Sequence, residues 1–490
     1  MRVWQIWVLV GMTLGACRVD SNDIQTWKST VKGPGKIVSV ALTPKYDVKL
    51  RARALVALVE MNRQDVDGMA EFEQTLRKLT DKDSPQIIHD VAEQLKTLMH
   101  GTTKATADES GPAALEVRAK DAAFILVPLA SEEVRRDLST SIVQWLAGDF
   151  NGRSLAGKFS AEQIIRALGA SAGAQLVAAL DPRMPQMALI KLSQLIAQVG
   201  DDATKAQAAK RLVEIEREME SKEFLVWLET RILEQAKDRG QTVKRPDVQR
   251  AALHHREVFI TTGALPAMSS VADQRVVAER LLQIASINSQ EPAMVERRWR
   301  ALAALEGKAS ADQLDRLLEL ALNNANPTKV RDYAFDRLSD VRSPKTVARL
   351  WPLVQSASNA RERWRAGELV LAIGGEKVLS EFLDKLPHQG DVNYEPEELE
   401  GYAKRIGQLS PLPTSKLRGM LGSKNWWERV IALRVLERKG TKNDIPSVQK
   451  VKTDATPVKG KHWDPNMTVG KVAGEVLQVL TQRASLSPAQ

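Results

Sequence analysis

Residues 314–338 read LDRLLELALNNANPTKVRDYAFDRL, and this stretch decides the fold. Its first part places apolar residues at i, i+3, i+4, i+7 and i+8, the stripe of an amphipathic helix: Leu314, Leu317, Leu318, Ala321 and Leu322. The break at 323–327 contains asparagine and proline, and a second helical pattern follows it. Because this break is long enough only for an antiparallel turn, the stretch predicts a helical hairpin.

An Arg-x-x-Ala element opens successive apolar stripes at steps of 33, 32 and 66 residues: Arg298/Ala301, Arg331/Ala334, Arg363/Ala366 and Arg429/Ala432. The last step equals two units, so a missing copy falls near residue 399, where the pattern has decayed. One hairpin cannot bury both of its faces, so hairpins at this spacing must stack. The sequence therefore predicts an all-α fold, an α-solenoid of antiparallel helical hairpins.

Three segments of the chain, 314–338, 360–374 and 417–440, resemble HEAT repeats, whose second helix typically begins Val-Arg-x-x-Ala. The resemblance is clear over 293–440 and weaker at 50–58. It implies a HEAT-like, armadillo-type superhelix in which the second helix of each hairpin lines the concave side.

The resemblance would bring four arginines toward one inner surface, and we call them the arginine ladder: Arg298, Arg331, Arg363 and Arg429. Two roles stay open for them. They could hydrogen-bond the neighbouring hairpin and fix how hairpins stack, because a bidentate guanidinium suits such a contact. Alternatively, they could face solvent as a spaced basic ridge that binds an acidic segment of a partner.

The first seventeen residues have the features of a secretion signal. Met1-Arg2 is a short positive region, and an apolar run of 12 residues follows it at 3–14, too short to span a bilayer comfortably. The run ends in Leu14-Gly15-Ala16-Cys17, which resembles the lipobox of bacterial lipoproteins. The resemblance implies lipid attachment at Cys17, palmitate among the acyl chains, and an anchor at a membrane surface. In the enterobacterial lipoproteins that this site resembles, an aspartate directly after the cysteine favours the inner membrane. This chain has Arg18 there, so the resemblance implies the outer membrane.

Four segments are expected along the chain. Residues 1–16 form the lipoprotein signal peptide, and 17–105 a helical segment with one HEAT-like hairpin. Residues 113–290 are an irregular all-helical middle region. The HEAT-like repeats occupy 293–490, with an acidic insertion near 387–400. The stretch 36–43 suits a strand or a first helical turn equally well, because Pro34 precedes it.

Composition excludes several classes of protein. The chain has 490 residues, 43% hydrophobic and 27% charged, which excludes collagen-like, disordered and multi-span membrane proteins. Lysine and arginine exceed aspartate and glutamate by 70 to 61, a formal net charge of +9, so acidic partners are favoured at encounter. The single cysteine, Cys17, excludes an intramolecular disulfide and a thiolate metal site.

Motifs for chemistry are not found. The six histidines lack metal-ligand spacing, and the adjacent pair His254-His255 points in two directions on a helix. Glu132-Glu133 and Glu397-Glu398 are expected on solvated faces. Trp299 and Trp364 lie two residues before the repeated alanines, which favours packing over stacking on bases or sugars. We therefore expect no enzyme, no catalytic or metal residues and no cofactor.

Together these features predict an envelope lipoprotein that acts as a HEAT-repeat scaffold for another envelope protein. The alternative is a binder of anionic envelope polymers, either cell-wall glycan or lipopolysaccharide. An enzyme or a nucleic-acid binder is less favoured, because a tethered envelope protein rarely meets cellular DNA or RNA. The expected partners are an envelope protein and the membrane, with an anionic polymer as the alternative.

Overall fold

The computed structural model describes residues 19–61, 65–100, 115–150, 157–356, 360–388 and 392–486. In these parts the chain is helical, and the only β contact is an isolated bridge between Pro457 and Thr468. The prediction of an all-α fold is confirmed. The chain divides into two compact units between Val277 and Ala278.

The first unit contains fourteen α-helices in its described residues, and a fifteenth runs across the division into the second unit. They are α1 Ser21–Trp27, α2 Gly33–Leu42, α3 Val48–Glu60, α4 Gly68–Lys78, α5 Ser84–His100, α6 Leu115–Leu126, α7 Glu132–Phe150, α8 Ala161–Leu168, α9 Gly173–Ala178, α10 Gln186–Val199, α11 Asp202–Glu220, α12 Lys222–Asp238, α13 Arg245–Phe259, α14 Leu265–Ser269 and α15 Arg275–Ala285. A π-helical turn, Ile260–Ala264, joins α13 to α14, and two 3₁₀ turns occur at Val127–Leu129 and Gly169–Ala172.

Helix α3 is the centre of the first half of this unit. It packs against α2, α4, α5 and α6, and its residues 54–59 are all fully buried. The stretch 54–59 is apolar on every side of the helix, so it must be covered on every side. The ambiguous stretch at 36–43 is resolved as part of helix α2, with Pro34 in its first turn, where a proline costs no hydrogen bond.

The second unit continues with eleven α-helices in its described residues: α16 Pro292–Ala304, α17 Leu314–Leu322, α18 Thr328–Val341, α19 Pro344–Val354, α20 Ala360–Gly374, α21 Glu376–Lys385, α22 Pro396–Ile406, α23 Thr414–Met420, α24 Trp426–Lys439, α25 Ile445–Gln449 and α26 Val469–Leu486. Short 3₁₀ turns precede α17 and α25, at Ala311–Gln313 and Lys442–Asp444.

Alternate helices of the second unit stack directly on one another. Helices α16, α18, α20, α22, α24 and α26 pack in that order, and we call them the second helices of the hairpins. The first helices α17, α19, α23 and α25 each pack against the second helix that follows. The buried stripe predicted in α17 is present, since Leu314, Leu317, Leu318 and Ala321 are all buried. The predicted solenoid of antiparallel hairpins is therefore confirmed in this unit.

Candidate functional site

The arginine ladder lies within the stack of the second unit, in the first turns of α18, α20 and α24 and near the middle of α16. Arg298 and Arg363 are almost wholly buried, Arg429 is buried, and Arg331 is half-buried. Each guanidinium contacts two places: a carbonyl at or just beyond the end of its own first helix, and a polar group of the next hairpin. The carbonyl contact suits a cation, because the last carbonyls of a helix lack intrahelical donors.

Arg298 shows this arrangement with uncharged partners. Its Nε donates to the carbonyl oxygen of Ala285, the last residue of α15, at 2.9 Å. Its Nη2 donates to the side-chain oxygen of Asn326, in the turn before α18. Burial alone lowers the pKa of Arg298, because no carboxylate offsets the loss of solvent.

Arg331 and Arg429 repeat the pattern with acidic partners. Arg331 Nε donates to the carbonyl of Ala321 at 3.1 Å, and its Nη2 binds Glu362 of the next second helix. Arg429 Nε lies 2.9 Å from Asp454, in the segment between α25 and α26. These contacts tie each hairpin to the next.

Arg51 in the first unit makes the same contacts, although the sequence reasoning did not single it out. Its Nε donates to the carbonyl of Ala41, at the end of α2, at 2.9 Å, and its Nη2 binds Asp81, before α5. The hydrogen bond from Arg51 lowers the pKa of Asp81. The signal was present in the sequence, because Arg51-x-x-Ala54 falls inside the weaker HEAT-like segment.

The missing copy of the ladder is Glu398, in helix α22. It stands 35 residues after Arg363 and 31 before Arg429, and Gly401 takes the place of the repeated alanine. The expectation that Glu398 is solvated is wrong, since it is 1% exposed. Its carboxylate accepts two hydrogen bonds from Arg363, from Nε at 2.7 Å and from Nη2 at 2.8 Å.

The Arg363–Glu398 pair is surrounded by further partners. Arg363 also donates to the carbonyls of Ser356 and Asn393, each at 2.9 Å. The buried hydroxyl of Tyr402 lies 2.9 Å from Glu398 Oε1 and 3.0 Å from the carbonyl of Arg363. Burial raises the pKa of Glu398, and the hydrogen bonds from Arg363 and Tyr402 offset only part of that effect.

The four ladder guanidinium groups therefore lie against the neighbouring hairpin. A basic ridge in open solvent would require them to turn outward, which this geometry does not show. A surface for a partner has to be sought among the side chains beside the ladder.

Aromatic side chains beside the ladder form what we call the aromatic row: Trp299 in α16, Tyr333 in α18 and Trp364 in α20. The expectation that Trp299 and Trp364 are packing residues of the core is only partly correct, because both are partly exposed. Trp299 stacks on Tyr333 with ring centroids 5.0 Å apart, and Lys329 Nζ lies 3.8 Å from the Trp299 ring centroid. The stacked pair bridges two hairpins on the surface.

Trp364 lines a cavity of about 560 Å³, which we call the Trp364 cleft. Its other walls include Asp332 from α18, Arg361 and Arg365 from α20, and residues at the start of α22. The volume lies within the range of pockets that hold small ligands or a few side chains. The indole Nε1 of Trp364 is buried without a hydrogen-bond partner.

The arginines of the Trp364 cleft have acidic partners. Arg361 forms an ion pair with Asp332. Arg365 Nη2 lies 2.6 Å from Asp336 and also donates to the carbonyl of Asp332 at 3.1 Å. The positive charges of this wall are thus internally balanced.

The opposite wall of the cleft is acidic. Glu395, just before α22, accepts hydrogen bonds from the backbone amides of Lys461 and His462 at 3.1 and 3.0 Å. Burial acts to raise the pKa of Glu395, but these amides and the His462 ring outweigh it and lower the pKa. Glu397 is exposed and forms no ion pair with the described residues.

Glu395, Glu397 and His462 are the described residues that could hold a metal ion, because their ligand atoms lie within 4.8 Å of one another. The group was not predicted, since 65 residues of sequence separate His462 from Glu397. Glu395 is already engaged by two amides and the imidazole at 3.0 Å, so its carboxylate has little capacity left for an ion. We assign no metal to it.

The predicted lipid-attachment residue, Cys17, and the predicted signal peptide lie outside the described residues. None of the described helices combines the length and the apolar character needed to cross a bilayer.

Comparisons with known proteins give structural similarity alone. A crystal structure of Kap121p bound to Ste12p is similar at 13% identity and a TM-score of 0.27, over 94% of this chain and 49% of that chain. One of Kap121p bound to Pho4p is similar at 14% identity and a TM-score of 0.26, over 93% of this chain and 51% of that chain. This chain spans about half the length of those chains. No family model and no curated protein sequence matches it.

Proposed function

We propose that this protein is a bacterial envelope lipoprotein, anchored in the outer membrane through acylated Cys17, and that its HEAT-like array is a scaffold for another envelope protein. The observation that carries the scaffold is the aromatic row, in which partly exposed rings lie beside charges of both signs on neighbouring second helices. Tryptophan, tyrosine and arginine are the residues most enriched where protein interfaces gain their binding energy. The lipobox-like sequence at 14–17 supports the anchor.

The charges near the aromatic row favour a protein over an anionic polymer. Binding of glycan or lipopolysaccharide requires a continuous basic groove. Arg361 and Arg365 are instead paired with aspartates, and the acidic Glu397 faces them across the cleft. This mixture of signs suits a folded or extended protein segment with its own charge pattern.

Capture of the partner tests the scaffold. The double change Trp299→Ala and Tyr333→Ala removes the stacked pair, and we expect recovery of the crosslinked partner to fall by about tenfold or more, as for loss of an aromatic interface residue. The measurement is crosslinking in intact cells, followed by purification of the native lipoprotein and quantitative mass spectrometry.

The matched control for this experiment is Trp351→Ala. Trp351 is also half-buried and has a cation, Lys385 Nζ, 5.5 Å from its ring centroid, but it lies on the first helix α19. Unchanged capture by the Trp299/Tyr333 variant, or equal loss in the Trp351 variant, would contradict a partner surface on the aromatic row.

The anchor is tested separately by Cys17→Ala. Since the chain has no second sulfhydryl group, this change removes the acceptor of the lipid. We expect an unprocessed precursor or a soluble periplasmic form in fractionated cells. A mature-length variant that remains in the membrane fraction would disprove lipid attachment at this residue.

A further inference from the structure

The Trp364 cleft has a local charge opposite to that of the whole protein. The chain carries a formal net charge of +9, yet the cleft has an acidic wall beside an internally balanced one. Glu398, at the inner end of the cleft, is neutralised by Arg363. Within the part of the chain that the structure describes, Glu397 is exposed and has no ion pair, and Glu395 pairs with the imidazole of His462, which carries a charge only when protonated.

The Trp364 ring is a second feature of the cleft that attracts a cation. An indole face attracts cations more strongly than any other side-chain ring, and an adjacent carboxylate reinforces the attraction. In the same unit, Lys329 already lies 3.8 Å from the Trp299 ring centroid and Lys385 5.5 Å from that of Trp351. No cation of the described residues occupies the Trp364 ring in this way.

An anionic ligand does not fit this arrangement. It would have to displace Asp332 from Arg361, or Asp336 from Arg365, and would then meet Glu397 across the cleft. A purely apolar side chain would cover Glu397 and Glu395 without satisfying them, which costs free energy. A cationic side chain with an apolar stem satisfies the indole face and the carboxylates together.

We propose that the Trp364 cleft binds a lysine or arginine side chain in an extended segment of the protein partner. The stem of that side chain lies along Trp364, and its cation contacts Glu397 at the mouth of the cleft. This inference rests on the proposed scaffold function and specifies what its partner presents. The partner segment is thus basic at this point, although the scaffold itself is a basic protein.

Peptide selection tests the proposal without knowledge of the partner. Purified full-length mature protein is used to select random twelve-residue peptides displayed on phage, in buffer with EDTA. We expect one strongly enriched lysine or arginine position with the wild type. That enrichment should vanish with Glu397→Gln. Glu397 is exposed, so this change should leave the fold intact. The enrichment should persist with the control Glu132→Gln, which alters an exposed carboxylate of the first unit.

The best selected peptide then gives an affinity. Replacement of its basic residue by acetyl-lysine, which keeps the stem and removes the charge, should weaken binding by about tenfold, measured by fluorescence anisotropy. Glu397→Gln should weaken the unmodified peptide and leave the acetylated peptide's affinity nearly unchanged. Trp364→Leu should weaken both peptides, because acetyl-lysine keeps the stem that lies along the indole.

Several results would overturn the proposal. Selection of no peptide, enrichment of acidic residues, or equal binding of the acetylated peptide would each do so. Peptide binding that appears only when zinc replaces EDTA in the buffer would also overturn it, and would assign Glu395, Glu397 and His462 to a metal. If native partner capture depends on Trp299 and Tyr333 but not on Glu397, the scaffold function survives and this inference fails.

Discussion

The buried Arg363–Glu398 pair makes a quantitative prediction about stability. The change Glu398→Gln keeps the shape of the side chain but removes the charge opposite Arg363. The guanidinium is fully buried and keeps the uncharged carbonyls of Ser356 and Asn393 as acceptors. Tyr402 keeps the carbonyl of Arg363 as an alternative acceptor. The glutamine amide nitrogen can only donate, so the change removes one of the two Arg363 hydrogen bonds together with the negative charge.

The expected cost follows from the burial of both partners. Removal of one member of a buried, hydrogen-bonded ion pair destabilises a protein by about 3–5 kcal/mol, whereas an exposed pair contributes about 0.5 kcal/mol. Two bonds at 2.7 and 2.8 Å, with both side chains almost wholly buried, place this pair in the first class. We therefore expect a loss of about 3 kcal/mol or more.

Hydrogen exchange is the suitable assay, because a chain with two compact units need not unfold in one step. The opening free energy of amides in α20 and α22 reports on the local stack. The matched control is Glu296→Gln, which removes the partially exposed partner of Arg300 on α16. We expect that control to change amide protection by less than about 0.5 kcal/mol.

The double variant Arg363→Met with Glu398→Met distinguishes charge from packing. Apolar replacement of both partners can be nearly neutral, so we expect the double variant to be more stable than Glu398→Gln alone. A loss below about 1 kcal/mol for Glu398→Gln, or strictly additive losses in the double variant, would refute the assignment of a buried ion pair.

Two further outcomes follow from the structure. Gly367→Ala should destabilise the second unit by about 1–3 kcal/mol in thermal melting, because the new Cβ would lie 2.5 Å from the fully buried Tyr402 ring. The control Gly419→Ala adds a Cβ in open space on α23 and should not destabilise it. The Arg51–Asp81 contact lowers the pKa of Asp81 below 3.8, so it stabilises the fold above about pH 4 and is lost as the pH falls through the folded-state pKa. Amides of α3 and α5 should lose protection in that acid range in the wild type and not in Asp81→Asn; equal acid sensitivity would contradict the assignment.

The fold could be predicted because its signals are local and repeated. The apolar stripe of α17 and the Arg-x-x-Ala element depend on helix geometry and near-regular spacing, and both are present in the sequence without reference to distant residues. The stretch at 36–43 stayed ambiguous because Pro34 before it suits the first turn of a helix as well as the start of a strand. Packing against α3 and α4 resolves it.

Most of the candidate site could not be predicted from the sequence, because its residues come from segments that lie far apart in the chain. Glu398 was expected in solvent, since a glutamate beside another glutamate at a helix start usually is exposed. Its burial depends on Arg363, 35 residues earlier, and comparison of ladder positions was the one signal that could have found it. The pairing of Glu395 with His462 had no such signal, because the segment at 453–465 interrupts the repeat.

Glu398 also makes one interface of the array, the one between α20 and α22, different from the interfaces between the other hairpins. Repeat proteins change length by gain or loss of whole units, and this is tolerated where neighbouring interfaces are alike. Deletion of α21 and α22 would leave Arg363 buried beside a hairpin that offers Arg429 instead of a carboxylate. Duplication of the same two helices would place a second buried Glu398 without an arginine. The number of hairpins is therefore fixed at this interface, and any change in array length has to occur on either side of it.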